Sequence, residues 1–154
     1  GEAGHMIVQP GGRSCPCGNH GCLEQYISEP AVLSRYRELS GRTTVSIDDL
    51  VWAYNQKETA ALAVTDEFTT YLACGINNLW NLFSPECIIL NSQLTAYLPQ
   101  LLPEILQKLS PRFRATCHLK LSTLQDTGVL LGAARVCISK YLGTEKLYFS
   151  GLQP

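Results

Sequence analysis

The sequence predicts an α/β layered domain, on three observations. Helical and strand-like patterns alternate along the 154 residues, which is the signature of helices packed on a sheet. Over residues 57–83, Ala61, Val64, Phe68, Tyr71, Leu72, Ile76, Leu79 and Phe83 recur at spacings of three and four, the period of a helix with one buried face. Just beyond, Cys87–Leu90 is a continuous apolar run, too short for a helix and patterned like a strand covered on both faces.

The other elements follow in order. Residues 5–9 form a short apolar-leaning stretch that reads as a strand. Residues 10–21 are a loop, broken by Pro10, Gly11, Gly12, Pro16, Gly18 and Gly21. Residues 22–28 read as the first turns of a helix, and Pro30 opens another to about Leu39, since proline suits a first helical turn. Residues 41–45 connect to a helix over 47–54, with Ser46 as its cap and Asp49 three residues on. In the long helix, Gly75 marks a kink or a close packing point, and Ser84-Pro85 ends it. Residues 92–110 read as helix in pieces, divided by Pro99 and Pro103. Residues 118–124 form the next strand. A final helix spans 128–141, capped by Asp126 or Thr127, and residues 144–154 read as a loose tail.

Composition narrows the class of protein. Charged residues are only 16% against about 25% in an average domain. So neutral a surface predicts packing against another domain or a second copy, hence a dimer or larger homo-oligomer. Net charge is -1, with 12 Lys and Arg and no basic run longer than two. Unaided binding to a phosphate backbone is therefore not expected. The most apolar stretches are far shorter than the ~20 residues a bilayer span needs. Seven cysteines do not make an even disulfide framework. Three crowd into residues 15–22, and Cys74, Cys87, Cys117 and Cys137 lie in apolar surroundings, which predicts buried thiols, one metal site and a reducing, cytoplasmic setting.

The chemistry concentrates in His5 and the run Cys15-Pro16-Cys17-Gly18-Asn19-His20-Gly21-Cys22. Zinc takes four tetrahedral ligands, and thiolate and imidazole suit it. Gly, Pro and Asn between the cysteines let the backbone curl around an ion. Cys15, Cys17 and Cys22 with His5 complete a structural site with no open position; His20 is a rival for the fourth place. Free thiols in a glycine-rich turn are the plainer reading. His118, on a strand, carries no special role. Two carboxylates flank the cluster, Glu2 and Glu24. Each can accept two hydrogen bonds, as the adjacent hydroxyls of a sugar would offer. Glu2 reads equally as a solvated terminal residue and Glu24 as an acid favoured in a first helical turn.

The order and spacing of Gly1-Glu2-Ala3-Gly4-His5-Met6 and Cys15-x-Cys17-Gly18-x-x-Gly21-Cys22-x-Glu24 resemble the ROK family of bacterial sugar kinases and sugar-responsive transcriptional repressors. Residues 84–90 are similar to the family's late strand, and residues 126–134 to the start of its closing helix. The resemblance implies a ribonuclease-H-like, actin/hexokinase-type α/β fold, with residues 1–143 as the C-terminal sugar-binding lobe and a zinc loop at 5–24. It implies a structural zinc on His5, Cys15, Cys17 and Cys22, and a sugar site lined by Glu2, His5 and Glu24. His5 would serve both, one ring nitrogen on the metal and the other toward a sugar hydroxyl.

The family's kinases carry an Asp base and a phosphate loop that would lie upstream of Gly1, and the sequence reads as part of a longer protein. After the late strand these kinases generally have a Gly-Gly turn. Here it is Asn91-Ser92-Gln93, whose side chains would crowd a nucleotide where glycine permits close approach. The same residues also read as a helix cap. The departure is similar to the repressor branch, of the xylose-, N-acetylglucosamine- or glucose-responsive type. The resemblance then implies a sugar or sugar-phosphate effector, no catalytic residue, and DNA contact only through an upstream winged helix. The alternatives are a sugar kinase lobe of the glucokinase or N-acetylhexosamine kinase type using MgATP, and a zinc-stabilised domain without a ligand.

Overall fold

Helix α4, Thr59–Phe83, is the spine of the molecule. A computed structural model describes residues 2–124 and 127–143. Ala61, Val64, Phe68, Leu72, Ile76 and Trp80 line the buried face of α4, as their spacing requires. The helix starts two residues later than its pattern, because Lys57 sits at a left-handed φ of 61° and turns the chain before it. Gly75 does not kink it. A Cβ there would lie 2.6 Å from Leu23 Cδ2, so the glycine is a packing notch for Leu23.

Around α4 pack α1 (Glu24–Ile27), α2 (Glu29–Ser40), α3 (Ile47–Asn55) and α6 (Leu101–Lys108). Two helices of this layer, α2 and α3, carry side-chain caps at their starts. Ser28 accepts from Ala31 N and Pro30 occupies the first turn of α2, while Gly41 closes it at φ 69°. Ser46 and Asp49 form a complete capping box at α3. Pro99 does divide residues 92–110, leaving α5 (Gln93–Tyr97) before it and α6 after. Pro103 does not break the chain. It is the third residue of α6, where its missing N–H has no partner to lose. The second break falls instead at Leu109-Ser110. Ser110 then caps α7 (Pro111–Thr116) by accepting from Phe113 N, a short helix that periodicity does not reveal.

The sheet has two parallel strands, β1 (Cys87–Leu90) and β2 (His118–Leu121), with Cys87 opposite His118 and Leu90 opposite Leu121. The expectation that β1 is covered on both faces is corrected. Ile88, Leu90 and Leu119 pack on the core, but Cys87 is exposed and Ile89 is 66% exposed, because helices cover only one face of this pair. β2 also ends earlier than residue 124, after a last bond from Ser122 N to Leu90 O. Residues 5–9 are not a strand either. Ala3–His5 is a 3-10 turn, and only Ile7 bridges, to Cys22. Val8 N and Gln9 N both donate to Gly21 O, and Pro10 cannot extend a ladder.

Helix α8 is Thr127–Leu142. Thr127 is its first residue and donates its hydroxyl to Leu124 O; Asp126 and the tail at 144–154 lie outside the described residues. Large apolar side chains stay exposed on α8 and at the end of α4, including Val129, Leu130, Tyr141, Leu82 and Phe83, as the low charge content leads one to expect. No helix among the described residues is long and apolar enough to cross a membrane.

Candidate metal centre and flanking carboxylates

The loop from residue 6 to 23 folds back on itself through its backbone. Leu23 N donates to Met6 O, Gly21 N to Arg13 O, Cys15 N to Asn19 O and Gly18 N to Cys15 O. Glycine is required at several points of this path. Gly18 turns at φ 92°. Gly21, at φ 81°, passes so close to Gln9 that a Cβ would stand 1.6 Å from its carbonyl oxygen, which no side chain tolerates.

This fold brings His5, Cys15, Cys17 and Cys22 together, with all four ligand atoms within 4.8 Å of one another. The Cys17 and Cys22 sulfurs are 3.6 Å apart, and Cys15 Sγ is 3.6 Å from His5 Nδ1. Metal–sulfur bonds of about 2.3 Å and metal–nitrogen bonds of about 2.0–2.1 Å give tetrahedral edges of roughly 3.5–3.8 Å. The cluster therefore has the size and the donor set for one zinc-like ion. All seven cysteines are free. His20 is not in the cluster; it bridges to Ser14 on the loop's edge and is exposed.

The Cys17 and Cys22 thiols differ. Burial pushes the Cys22 thiol up to about 12, reinforced by hydrogen bonds and charge at Cys15 and Cys17. Cys17 moves the other way, because a hydrogen bond from the Asn19 backbone lowers it, followed by one from Cys15. A divalent cation would let all three thiolates share one small space.

The carboxylates expected on the sugar side flank the same imidazole. Glu24 Oε2 lies 3.6 Å from His5 Nδ1 and Glu2 Oε2 lies 3.7 Å from His5 Nε2. Nδ1 thus faces both Cys15 Sγ and Glu24, and Nε2 is directed toward Glu2. Glu24 also lines a cavity of about 350 Å³ with Gly4, Ile27, Phe68, Leu72, Asn91 and Ser92. The turn after β1 therefore meets the carboxylate at one cavity. Ser92 occupies the capping position of α5, but its side chain makes no capping bond, and its φ of -142° is open to any residue.

Several supporting residues carry no signal in the sequence. Arg13 donates from its backbone to Tyr26 Oη and from Nη1 to Gln25 O, and pairs with Glu67 on α4. Arg35 of α2 reaches the same Glu67 at 3.2 Å. Tyr26 stacks on Tyr71 with ring centroids 4.0 Å apart. Gly12 makes room for the Tyr26 hydroxyl, which a Cβ would meet at 2.1 Å. Long-range pairing of this kind is set by the fold and has no local spacing.

Known proteins resemble this chain over most of its length. The model of the ROK family matches residues 1–140. A xylose repressor of Bacillus spizizenii is 30% identical over 151 residues, covering 96% of this chain and 39% of its own. An N-acetyl-D-glucosamine kinase of Histophilus somni is 29% identical over 128 residues, covering 82% of this chain and 42% of its own. The chain thus spans about two-fifths of the length of these relatives. The crystal structure of a ROK family transcriptional regulator, a homolog of the E. coli MLC protein, superposes with a TM-score of 0.72 at 28% identity, over 93% of this chain and 39% of that one. A family model that spans nearly the whole chain shows that the chain belongs to the ROK family.

Proposed function

We propose that this chain is the sugar-sensing and oligomerising C-terminal part, residues 1–143, of a ROK-family repressor of carbohydrate genes. In this reading His5, Cys15, Cys17 and Cys22 hold a structural zinc, and Glu2, His5 and Glu24 bind a sugar or sugar-phosphate effector. The zinc holds His5 by Nδ1 and so leaves Nε2 protonated and aimed outward. The observation that carries the repressor reading is the turn Asn91-Ser92-Gln93, whose residues 91 and 92 share the cavity with Glu24. Side chains stand there where a nucleotide would need bare backbone. Similarity to a xylose repressor over nearly the whole chain supports it. DNA would be read by a winged helix elsewhere in the full-length protein, and effector binding would shift its arrangement by no more than the differential affinity of the two states. Free thiols fit a cytoplasmic setting.

A second reading is a sugar kinase lobe, favoured by the similarity to an N-acetyl-D-glucosamine kinase. The same three side chains would then orient a sugar for phosphoryl transfer from MgATP, by positioning and electrostatics. Equilibrium dialysis of the full-length protein with labelled ATP separates the two. The repressor reading expects no Mg-dependent ATP binding; tight binding would overturn it in favour of the kinase.

A further inference from the structure

Gln25 follows Glu24 in the single turn of α1, and three of its groups are fixed by the metal loop. Its N–H donates to Cys22 O at 3.0 Å. Its carbonyl accepts from Arg13 Nη1 at 2.8 Å. Its side-chain Nε2 lies 3.7 Å from Cys15 Sγ, within reach of an N–H···S bond. A thiolate can only accept, so the amide must present its N–H side to the sulfur. Cys15 is itself 4% exposed, which leaves little water to solvate its charge.

We propose that Gln25 is a positioning residue of the metal centre: its amide N–H orients and stabilises the Cys15 thiolate and ties that ligand to the turn that carries Glu24. Donors to ligating atoms fix ligand direction and tune the metal. Here the tie joins two ligands, since the backbone of Gln25 is bonded to Cys22 and its side chain to Cys15. The metal then reaches the sugar side by two routes, the His5 ring and the 24–25 turn. This inference rests on the metal reading above.

The test is zinc affinity of the full-length protein by competition with a chromophoric chelator, on wild type, Gln25→Leu and Gln25→Glu. Gln25→Leu removes the donor at similar size and is expected to bind zinc about 10–100-fold more weakly. Gln25→Glu keeps the shape but turns an acceptor on the thiolate, and is expected to be at least as weak. In the cobalt-loaded form the sulfur-to-metal charge-transfer band of Gln25→Leu should move to lower energy, because a sulfur that has lost a hydrogen bond gives up an electron more easily. Affinity within twofold of wild type, or weaker affinity with an unshifted band, overturns the inference and leaves the metal site standing. A wild-type protein that takes up neither zinc nor cobalt overturns the metal reading and this inference together.

Discussion

Cys15 and Phe113 are both buried, for different reasons. Phe113 lies in a core with Leu98, Leu101 and Ile105, all at 0% exposure, where removal of apolar surface from water is the driving force. Cys15 lies in a loop held by backbone bonds and three left-handed glycines, Gly11, Gly18 and Gly21, within a cluster of four side chains able to hold a metal. The core keeps its shape by volume, the loop by directed bonds. The core should therefore tolerate chelators and resent cavities, and the loop the reverse. The regions meet where Leu23 enters the notch at Gly75 and where Arg13 pairs with Glu67.

Substitutions can break or sharpen that contrast. The largest effect is expected at Gly21→Ala and Cys22→Ser. Zinc affinity should fall by more than about 100-fold, beyond the range of outer-shell partners, while far-UV circular dichroism keeps the helical signal. Leu101→Ala should do the opposite, costing about 2–5 kcal/mol in chemical denaturation with unchanged zinc stoichiometry. At the seam, Gly75→Ala forces the Leu23 side chain aside and should cost about 1–3 kcal/mol, read by the same denaturation curves. The smallest effect lies at α3, remote from the loop, where Ser46→Ala should cost about 1 kcal/mol. The bonds from Ser46 hold the Asp49 carboxyl below its ordinary value. Its stabilising contribution is thus present above the unfolded pKa and fades as pH falls through the lower, folded value. Asp49→Asn should remove that part of the acid-side loss in a stability–pH titration.

The same contrast explains what could be read from the sequence. The long helix was legible because Val64, Phe68, Leu72 and Ile76 repeat with its period, and α3 because Ser46 and Asp49 spell its cap. The clustering of His5, Cys15, Cys17 and Cys22 was legible because few chemistries need three cysteines and a histidine so close in sequence. Residues 5–9 misled, since a short apolar-leaning stretch cannot show that the partner is a single returning residue, Cys22. Residues 87–90 misled because an apolar run does not reveal that only one face is covered. The break at Ser110 was obscured by Pro103, whose position inside a first turn removed its effect. Gln25, Glu67 and Tyr71 carry no motif at all. Their roles arise from partners 10, 54 and 45 residues away in the chain, at Cys15, Arg13 and Tyr26.

The most direct measurement is metal content and sugar binding on one preparation of the full-length protein, purified without chelator. Isothermal calorimetry with a panel of pentoses and hexoses would be run before zinc removal, after it, and after zinc is restored. The expected result is about one zinc per chain, with sugar binding lost on removal and regained on restoration. A protein that carries no metal, or one that binds sugar equally well after the metal is gone, would contradict a zinc that aims His5 and Glu24 at the sugar.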